Sequence, residues 1–315
     1  MPARAGLVGN PSDGYGGSVL ATVLPSLAAE VVARPFPGVR IGTRTWPSIA
    51  AWRVHVAERG HGNGARLISA ALWTLLDHLE DEAPRAGVAI EWSTHVPRAV
   101  GLAGSSALAV GAIDTVAAHW GLALDRRVLA ALALRSERDV LGLAAGWQDR
   151  VVQSFGRTVL VDAAVTEVVD GVEVPEVREV VTPAVAVPLL VAWSTDAASD
   201  SGVYHAPLRA RREAVAGPMG DLAALARAAA DAWQRGDVDE VGAAMDAGWR
   251  IRQRHMPLRG DHAALVDVVR SAGLPATTPG SGGSVVALCS DGAAADRVIA
   301  LLAARGCATC RAVVC

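Results

Sequence analysis

Hydrophobic and polar positions alternate along residues 88–96: Val88, Ile90, Trp92 and Val96 interleave with Ala89, Glu91, Ser93 and His95. A period of two predicts a half-buried strand, and Pro97 ends it because proline donates nothing to a ladder. The period then lengthens. Leu108, Ala112, Ile113, Val116, Ala117 and Trp120 recur at helical spacing, with Gly121 placed for a C-terminal stop. Between strand and helix lies the turn Gly101-Leu102-Ala103-Gly104-Ser105-Ser106.

The same reading predicts strands over 4–9, 18–24, 30–34, 39–43 and 52–56 before any helix. That order argues against an alternating dinucleotide-binding sheet, in which helices intervene from the start. A helix follows with Leu67, Ile68, Ala71, Leu72, Leu75, Leu76 and Leu79 on its apolar face and Asn63 as its cap. Asp125 is placed to cap another, bearing Val128, Leu129, Leu132 and Val140. Helical spacing returns at Val151, Val152 and Phe155 and stops at Gly156. Strands over 158–162 and 166–181 surround the hairpin dipeptide Asp170-Gly171. The second half predicts strands over 187–193, 284–289 and 308–314 and helices over 218–235, 238–254, 263–271 and 293–304. This suggests an α+β layer domain, with the change of texture near residues 165–186.

Composition narrows the class. A chain of 315 residues, 51% of them hydrophobic, can bury a substantial core and is not disordered. A net charge of −3 gives no reason to expect nucleic acid or a membrane surface as partner. All 29 basic residues are arginine, which rules out a Walker-type phosphate loop with its essential lysine. The opening MPARAGLVGNPSDGYGG is not a basic-then-apolar leader, and the apolar run PAVAVPLLVAW is too short to span a bilayer. A cytoplasmic protein is expected. Of the four cysteines, Cys289, Cys307, Cys310 and Cys315, the middle two form a lone C-x-x-C, read as reduced thiols in a terminal strand.

Glycines in the 101–106 turn let the backbone approach a ligand, and the helix start offers N–H groups and partial positive charge to an anion. A Gly-Ser turn that merely caps its helix is the plainer alternative. Two further Gly-rich pieces, RAGLVGNPSDGYGG near the start and TTPGSGGSVVAL near the end, share this composition. In order, and with an isolated acid at Asp149 in GWQD, they resemble the GHMP small-molecule kinases, most closely those of the plant glucuronokinase type. The resemblance rests on residues 9–17, 96–107, 146–150, 199–209 (SDSGVYHAPLR) and 278–283.

The resemblance implies a two-domain α+β fold. A ribosomal S5 domain 2-like, ATP-binding domain would occupy 1–170 and a ferredoxin-like domain 171–315. It implies ATP and Mg²⁺ as cofactors, with the phosphates held on Gly101, Leu102, Ala103, Gly104, Ser105 and Ser106. The third loop would close over the site through Gly280, Gly282 and Gly283. Ser106 and Glu137 match the family's magnesium ligands, although Glu137 lies in the charged run RSERD and equally reads as a solvated helix charge. Asp149 matches the catalytic base, a carboxylate beside the acceptor hydroxyl. Arg4 matches the cation that keeps such an acid ionised and offsets charge on the phosphoryl oxygens. Asn10, Ser12, Asp13 and Tyr15 fall on the sugar-binding wall, where turn chemistry is the alternative, and His205 is a further substrate contact.

The partner expected is a small sugar, phosphorylated by a monomer or homodimer, with a uronate such as D-glucuronate taken at its anomeric hydroxyl. Its carboxylate calls for a bidentate arginine, for which Arg98, Arg209, Arg211 and Arg250 are candidates. Kinases of another sugar, an amino alcohol or an isoprenoid alcohol, an ATP-using decarboxylase and a non-catalytic sugar sensor are the rival readings. The decarboxylase lacks a basic run beside the first motif, and the sensor would have no use for Arg4, Ser106, Glu137 and Asp149 together.

Overall fold

The computed structural model describes residues 1–62, 64–80, 86–180, 187–195, 211–256, 258–289 and 292–314. Strand β1 (Pro2–Val8) lies antiparallel to β2 (Ser18–Pro35). Where the sequence predicts two strands, β2 is continuous. Pro25 and Ser26 are exposed, at a register shift where Ala3 faces Leu24 and Pro2 faces Ala28. A bulge there accommodates the proline, which has no N–H for the ladder.

Along its length β2 also pairs with β5 (Val88–Thr94) and β6 (Val159–Val169). With β3 (Val39–Ile41), β4 (Arg44–Trp46) and β7 (Val172–Glu179) they form a seven-stranded sheet of order β4-β3-β5-β2-β6-β7, β1 joining β2. Asp170 and Gly171 turn the β6–β7 hairpin with φ of 48° and 73°, both left-handed, as a primed turn requires. The expected division at 170/171 therefore cuts a hairpin whose two strands share one sheet; the chain changes sheet between Glu179 and Val187.

The predicted strand at 52–56 is instead the middle of helix α1 (Ile49–Arg59), capped by Ser48, whose Oγ accepts from Ala51 N at 3.0 Å. Trp52 and Val56 are its buried face, whereas Val54, which completes the apparent alternation, is 58% exposed. Helix α2 (Arg66–Leu79) starts at Ala65 without a side-chain cap, and the expected cap, Asn63, lies outside the described residues. Helices α3 (Gly104–His119), α4 (Arg126–Arg135) and α5 (Trp147–Phe155) follow, with a π-helical turn at Ser136–Val140. Asp125 caps α4, its Oδ1 accepting from Arg127 N at 2.7 Å, and Gly156 ends α5 in the left-handed region.

The second sheet is antiparallel, in the order β11-β8-β10-β9, from β8 (Val187–Ser194), β9 (Ala276–Thr277), β10 (Ser284–Leu288) and β11 (Cys307–Val314). Helices α6 (Ala216–Arg235), α7 (Val238–His255) and α8 (Gly260–Ser271) separate β8 from β9, and α9 (Gly292–Ala303) separates β10 from β11. This is the ferredoxin-like order. One apolar core joins both sheets, with Leu7, Leu20 and Leu24 packed in the same cluster as Leu189, Trp233, Met245 and Val286. A second gathers Trp52, Leu72, Ile90, Ile113 and Leu132 behind the first sheet. Cys307 and Cys310 fall on opposite faces of β11 and pack in different clusters, so the C-x-x-C does not converge on one ligand. Among the described residues no helix is long and apolar enough to cross a membrane.

Candidate active site

Three Gly-rich loops meet around Arg4, which β1 carries into the interior with its side chain 4% exposed. Arg4 Nη2 lies 2.5 Å from Asp149 Oδ1. Its Nη1 donates to the Pro279 carbonyl and, at 3.4 Å, to Gly101 O, and its backbone N–H donates to Leu102 O at 3.3 Å. With its amide oxygen turned toward the guanidinium, Gln148 accepts from Arg4 Nε and Nη1 at 3.2 and 3.3 Å. One side chain thus ties the first strand, the middle loop, the third loop and α5 together.

The middle and third loops lie backbone against backbone. A Cβ on Gly280 would stand 2.4 Å from Gly101 O, so only glycine permits the approach. Ser284 Oγ donates to Val100 O at 2.5 Å. From α7 the buried Arg252 reaches the third loop, donating from Nη1 to Thr278 O and from Nη2 to Gly280 O, both at 2.9 Å. Asn10 Nδ2 adds a bond of 3.1 Å to Gly280 O. Gln153 of α5 donates to Ala103 O at 3.0 Å and fixes the middle loop from below.

Helix α3 begins at this junction. Ala103, at φ 63° and ψ 38°, is its N-cap and supplies no capping side chain. Helices α1, α4 and α8's neighbour α7 each have a side-chain cap on the first turn, from Ser48, Asp125 and Asp237. The start of α3 has no such cap, as is also true of α2, α6 and α8, so its first N–H groups are not spent on a side chain. Ser105 is exposed there, while Ser106 is fully buried and donates to Ala103 O at 3.1 Å.

Helix α5 is capped from a distance. Asp13 Oδ2 accepts from Gln148 N at 2.9 Å, and a Cβ on Gly146 would lie 2.5 Å from the same oxygen. Burial raises the Asp13 carboxyl to about 6; the Gln148 N–H opposes this, the Asp149 charge adds to it, and Arg4 and Arg150 moderate it. For Asp149 desolvation also pushes upward, but Arg4 and then Arg150 outweigh it and hold the group below its usual carboxylate range. Asp149 keeps 23% side-chain exposure, with Oδ1 on Arg4 and Oδ2 3.5 Å from Arg150 Nη1.

Several expected contacts are spent within the protein. Ser12 is fully buried and its Oγ donates to Ser18 O at 2.7 Å; it closes the first turn and does not face a ligand. Asn10 braces the third loop, and Asp13 Oδ2 holds α5. Tyr15 is half-buried with the Arg212 guanidinium 5.8 Å from its ring centre. Gly282, at φ 118°, packs against His262 of α8, and Gly283, at φ 84°, leads into β10. Glu137 is not a solvated charge. It is 1% exposed and ion-paired to Arg150, whose Nε donates to its Oε2 at 2.8 Å. His205 and Arg209 lie outside the described residues; Arg98, Arg211 and Arg250 are exposed. Among the described residues no three His, Cys, Asp or Glu side chains group as a metal site. The sequence reading missed Arg252, Gln153 and the Gln148 and Arg150 roles, although GWQDR places the last two beside Asp149.

The model of the GHMP kinases N terminal domain matches residues 66–157, and that of the GHMP kinases C terminal domain matches 222–306. Glucuronokinase 1 of Arabidopsis thaliana is 26% identical over 311 residues, covering 92% of this chain and 84% of that protein. Lactococcus lactis galactokinase, solved with galactose, superposes with a TM-score of 0.78 at 16% identity, over 99% of this chain and 92% of that one. Streptococcus pneumoniae phosphomevalonate kinase, solved with phosphomevalonate and AMPPNP, gives 0.71 at 13% identity, over 99% of both chains.

Proposed function

Because the chain belongs to the GHMP kinases, enzymes that phosphorylate small molecules, we propose that it transfers the γ-phosphoryl group of ATP to a sugar hydroxyl, and that the sugar is a uronate of the D-glucuronate kind taken at its anomeric position. The observation that carries the kinase reading is the Arg4–Asp149 pair. The same arginine that holds the carboxylate at 2.5 Å also bonds the loop entering α3. A partly exposed anion and an uncapped helix start are thereby fixed to one rigid group.

The middle loop fits a triphosphate: backbone N–H groups at the start of α3 lie beside glycines that admit close approach. The acceptor hydroxyl oxygen attacks the γ-phosphorus, the bond to the ADP oxygen breaks with its electron pair leaving on ADP, and the hydroxyl proton passes to Asp149. Asp149 has a depressed pKa, so it orients the hydroxyl throughout and takes the proton late, once the forming P–O bond has made it acidic. Arg4 keeps Asp149 anionic and faces the charge on the transferring oxygens.

Magnesium would arrive with ATP and neutralise phosphate charge. Ser106 has its proton on Ala103 O and its lone pairs unspent, but it is fully buried, so it would hold the ion only after the loop shifts to uncover it. Glu137 is held by Arg150 on one oxygen only, Oε2, which leaves Oε1 as the atom that would take the ion.

Support for the sugar comes from the relatives: the named Arabidopsis protein is a glucuronokinase, and the galactokinase was solved with galactose. The test is ADP release with Mg-ATP against uronates, neutral hexoses, pentoses, mevalonate and homoserine. Turnover confined to glucuronate or galacturonate supports the uronate. Turnover with a neutral hexose or mevalonate replaces the substrate and keeps the kinase, and nucleotide binding without turnover of any alcohol favours a sensor.

A further inference from the structure

Successive carbonyls of the middle loop are bound from other parts of the chain. Val100 O accepts from Ser284 Oγ of β10, Gly101 O from Arg4 Nη1, Leu102 O from the Arg4 backbone N–H, and Ala103 O from Gln153 Nε2 of α5. A trans peptide directs its carbonyl and the following N–H to opposite sides, so the N–H groups of residues 101–104 face away from these anchors. Among the described residues, the N–H groups of 101–106 donate to nothing in the protein. Ala99, Gly101 and Ala103 all have left-handed φ, the alternation that lines N–H groups into an anion-holding concavity.

Ala103 is the strained member of the row next to the helix. It sits at φ 63° and ψ 38°, which its Cβ disfavours. Its carbonyl also accepts from Ser106 Oγ and Ala107 N, both at 3.1 Å, but these belong to the first turn of α3 and move with it. Gln153 holds it from outside. That side chain is 1% exposed; Nε2 donates to Pro2 O as well, at 3.0 Å, and Oε1 has no partner among the described residues. A buried acceptor left unpaired costs stability, so the amide is placed for the two carbonyls at its nitrogen end.

We infer that Gln153 is a positioning residue for the nucleotide phosphates: it holds Ala103 in the left-handed conformation and so aims the N–H of Gly104 and the first turn of α3. The inference rests on the kinase reading above. Without the amide, Ala103 relaxes toward negative φ, and the peptide joining it to Gly104 turns out of the row. A glycine at 103 meets no such bias, so it keeps the shape of the loop without help from Gln153. On α5, Gln153 lies one helical turn beyond Asp149 and on the same face. One helix therefore carries the proposed proton acceptor and fixes the loop that faces the phosphates, which sets the two reacting groups in register.

The test measures binding of a non-hydrolysable ATP analogue by calorimetry to the unaltered chain, Gln153→Met, Ala103→Gly and the double variant. Methionine keeps the length of the side chain and removes the amide. Gln153→Met should weaken the analogue by about ten-fold or more. In the Ala103→Gly background the same substitution should cost less than about three-fold, a coupling that simple loss of packing would not produce. Equal losses in the two backgrounds overturn the inference, as does an affinity for Gln153→Met within about three-fold of the unaltered chain. If Gln153→Met does not fold, the double variant decides. A folded double variant that binds within about three-fold of Ala103→Gly upholds the inference; one that also fails to fold overturns it, because Gln153 then serves the packing of α5. An unaltered chain that binds no nucleotide is a separate result: it overturns the kinase reading and takes this inference with it.

Discussion

Asp13 accepts a hydrogen bond from Gln148 N at 2.9 Å, so the first Gly-rich turn caps the helix whose next residue is Asp149. The turn and the helix come from distant parts of the chain, and the Asp149 carboxylate, the proposed proton acceptor, is aimed by both. A carboxylate at a helix start is favoured by the exposed N–H groups and the helix dipole. Here it also stands close to a second carboxylate, and that proximity sets its ionisation.

Stability should record the Asp13 ionisation. Its pKa is raised from 3.8 to about 6, so between these values the native chain holds more protons than the unfolded one. Stability contributed by Asp13 is therefore full below about pH 4 and declines as pH rises to about 6, by roughly 3 kcal/mol at most. Asp13→Asn should abolish that decline. Thermal melting of both proteins from pH 4 to 7.5 should show the variant gaining on the parent as pH rises; parallel curves would refute the assignment.

Asp149→Asn should reduce kcat by about 10²–10⁴-fold, the range for a positioned acid–base group. Nucleotide affinity should change little, because the middle loop is held by Arg4 and Gln153 through its carbonyls. Steady-state kinetics beside binding of an ATP analogue separates the two. A variant with more than a tenth of parental kcat would exclude Asp149 as proton acceptor.

Gly280→Ala forces a Cβ to within 2.4 Å of Gly101 O. The two loops must part, and overpacking of this kind costs about 1–3 kcal/mol. KM for ATP should rise by about ten-fold or more, with a lower melting temperature. Unchanged KM would mean that the third loop has no bearing on the nucleotide.

Arg252→Lys keeps the charge but loses the fork that spans Thr278 O and Gly280 O. Each lost bond from a charged donor is worth about 1.5–3 kcal/mol, so the variant should melt lower and bind substrates more weakly, with kcat less affected. A double-mutant comparison with Asn10→Ala, which shares the Gly280 acceptor, should show the two effects to be non-additive.

Much of the fold was legible because period and punctuation agreed. The strand at 88–94, the loop and α3 follow from one change of period, and Asp125, Gly156 and Asp170-Gly171 mark ends that the structure shows. The misreading at 52–56 arose because Trp52, Val54 and Val56 alternate as a strand would; only burial distinguishes Val54. The continuity of β2 was hidden by Pro25, which reads as a breaker unless its partner strand is known to bulge.

The site was legible as a set of loops and illegible as a set of partners. Arg4 and Asp149 meet as the resemblance implied. Sequence cannot say whether a polar side chain in a turn faces a ligand or its own backbone, and Ser12, Asn10 and Asp13 all chose the protein for at least one bond. Arg252 carries no motif. Its role comes from the crossing of α7 past the third loop, which is a tertiary fact.

The third loop belongs by sequence to the second sheet, yet its carbonyls accept from Arg4, Gly6 and Asn10. During synthesis the first dozen residues therefore emerge long before Pro279 and Gly280 exist to receive them. Until then the guanidinium of Arg4 can meet Asp149 and Gly101 O but not the Pro279 carbonyl, and the junction of the three loops is the last part of this region to be completed. A ribosome-bound chain ending before the third loop would hold the opening strand unfinished and have no activity, however well its first sheet had formed.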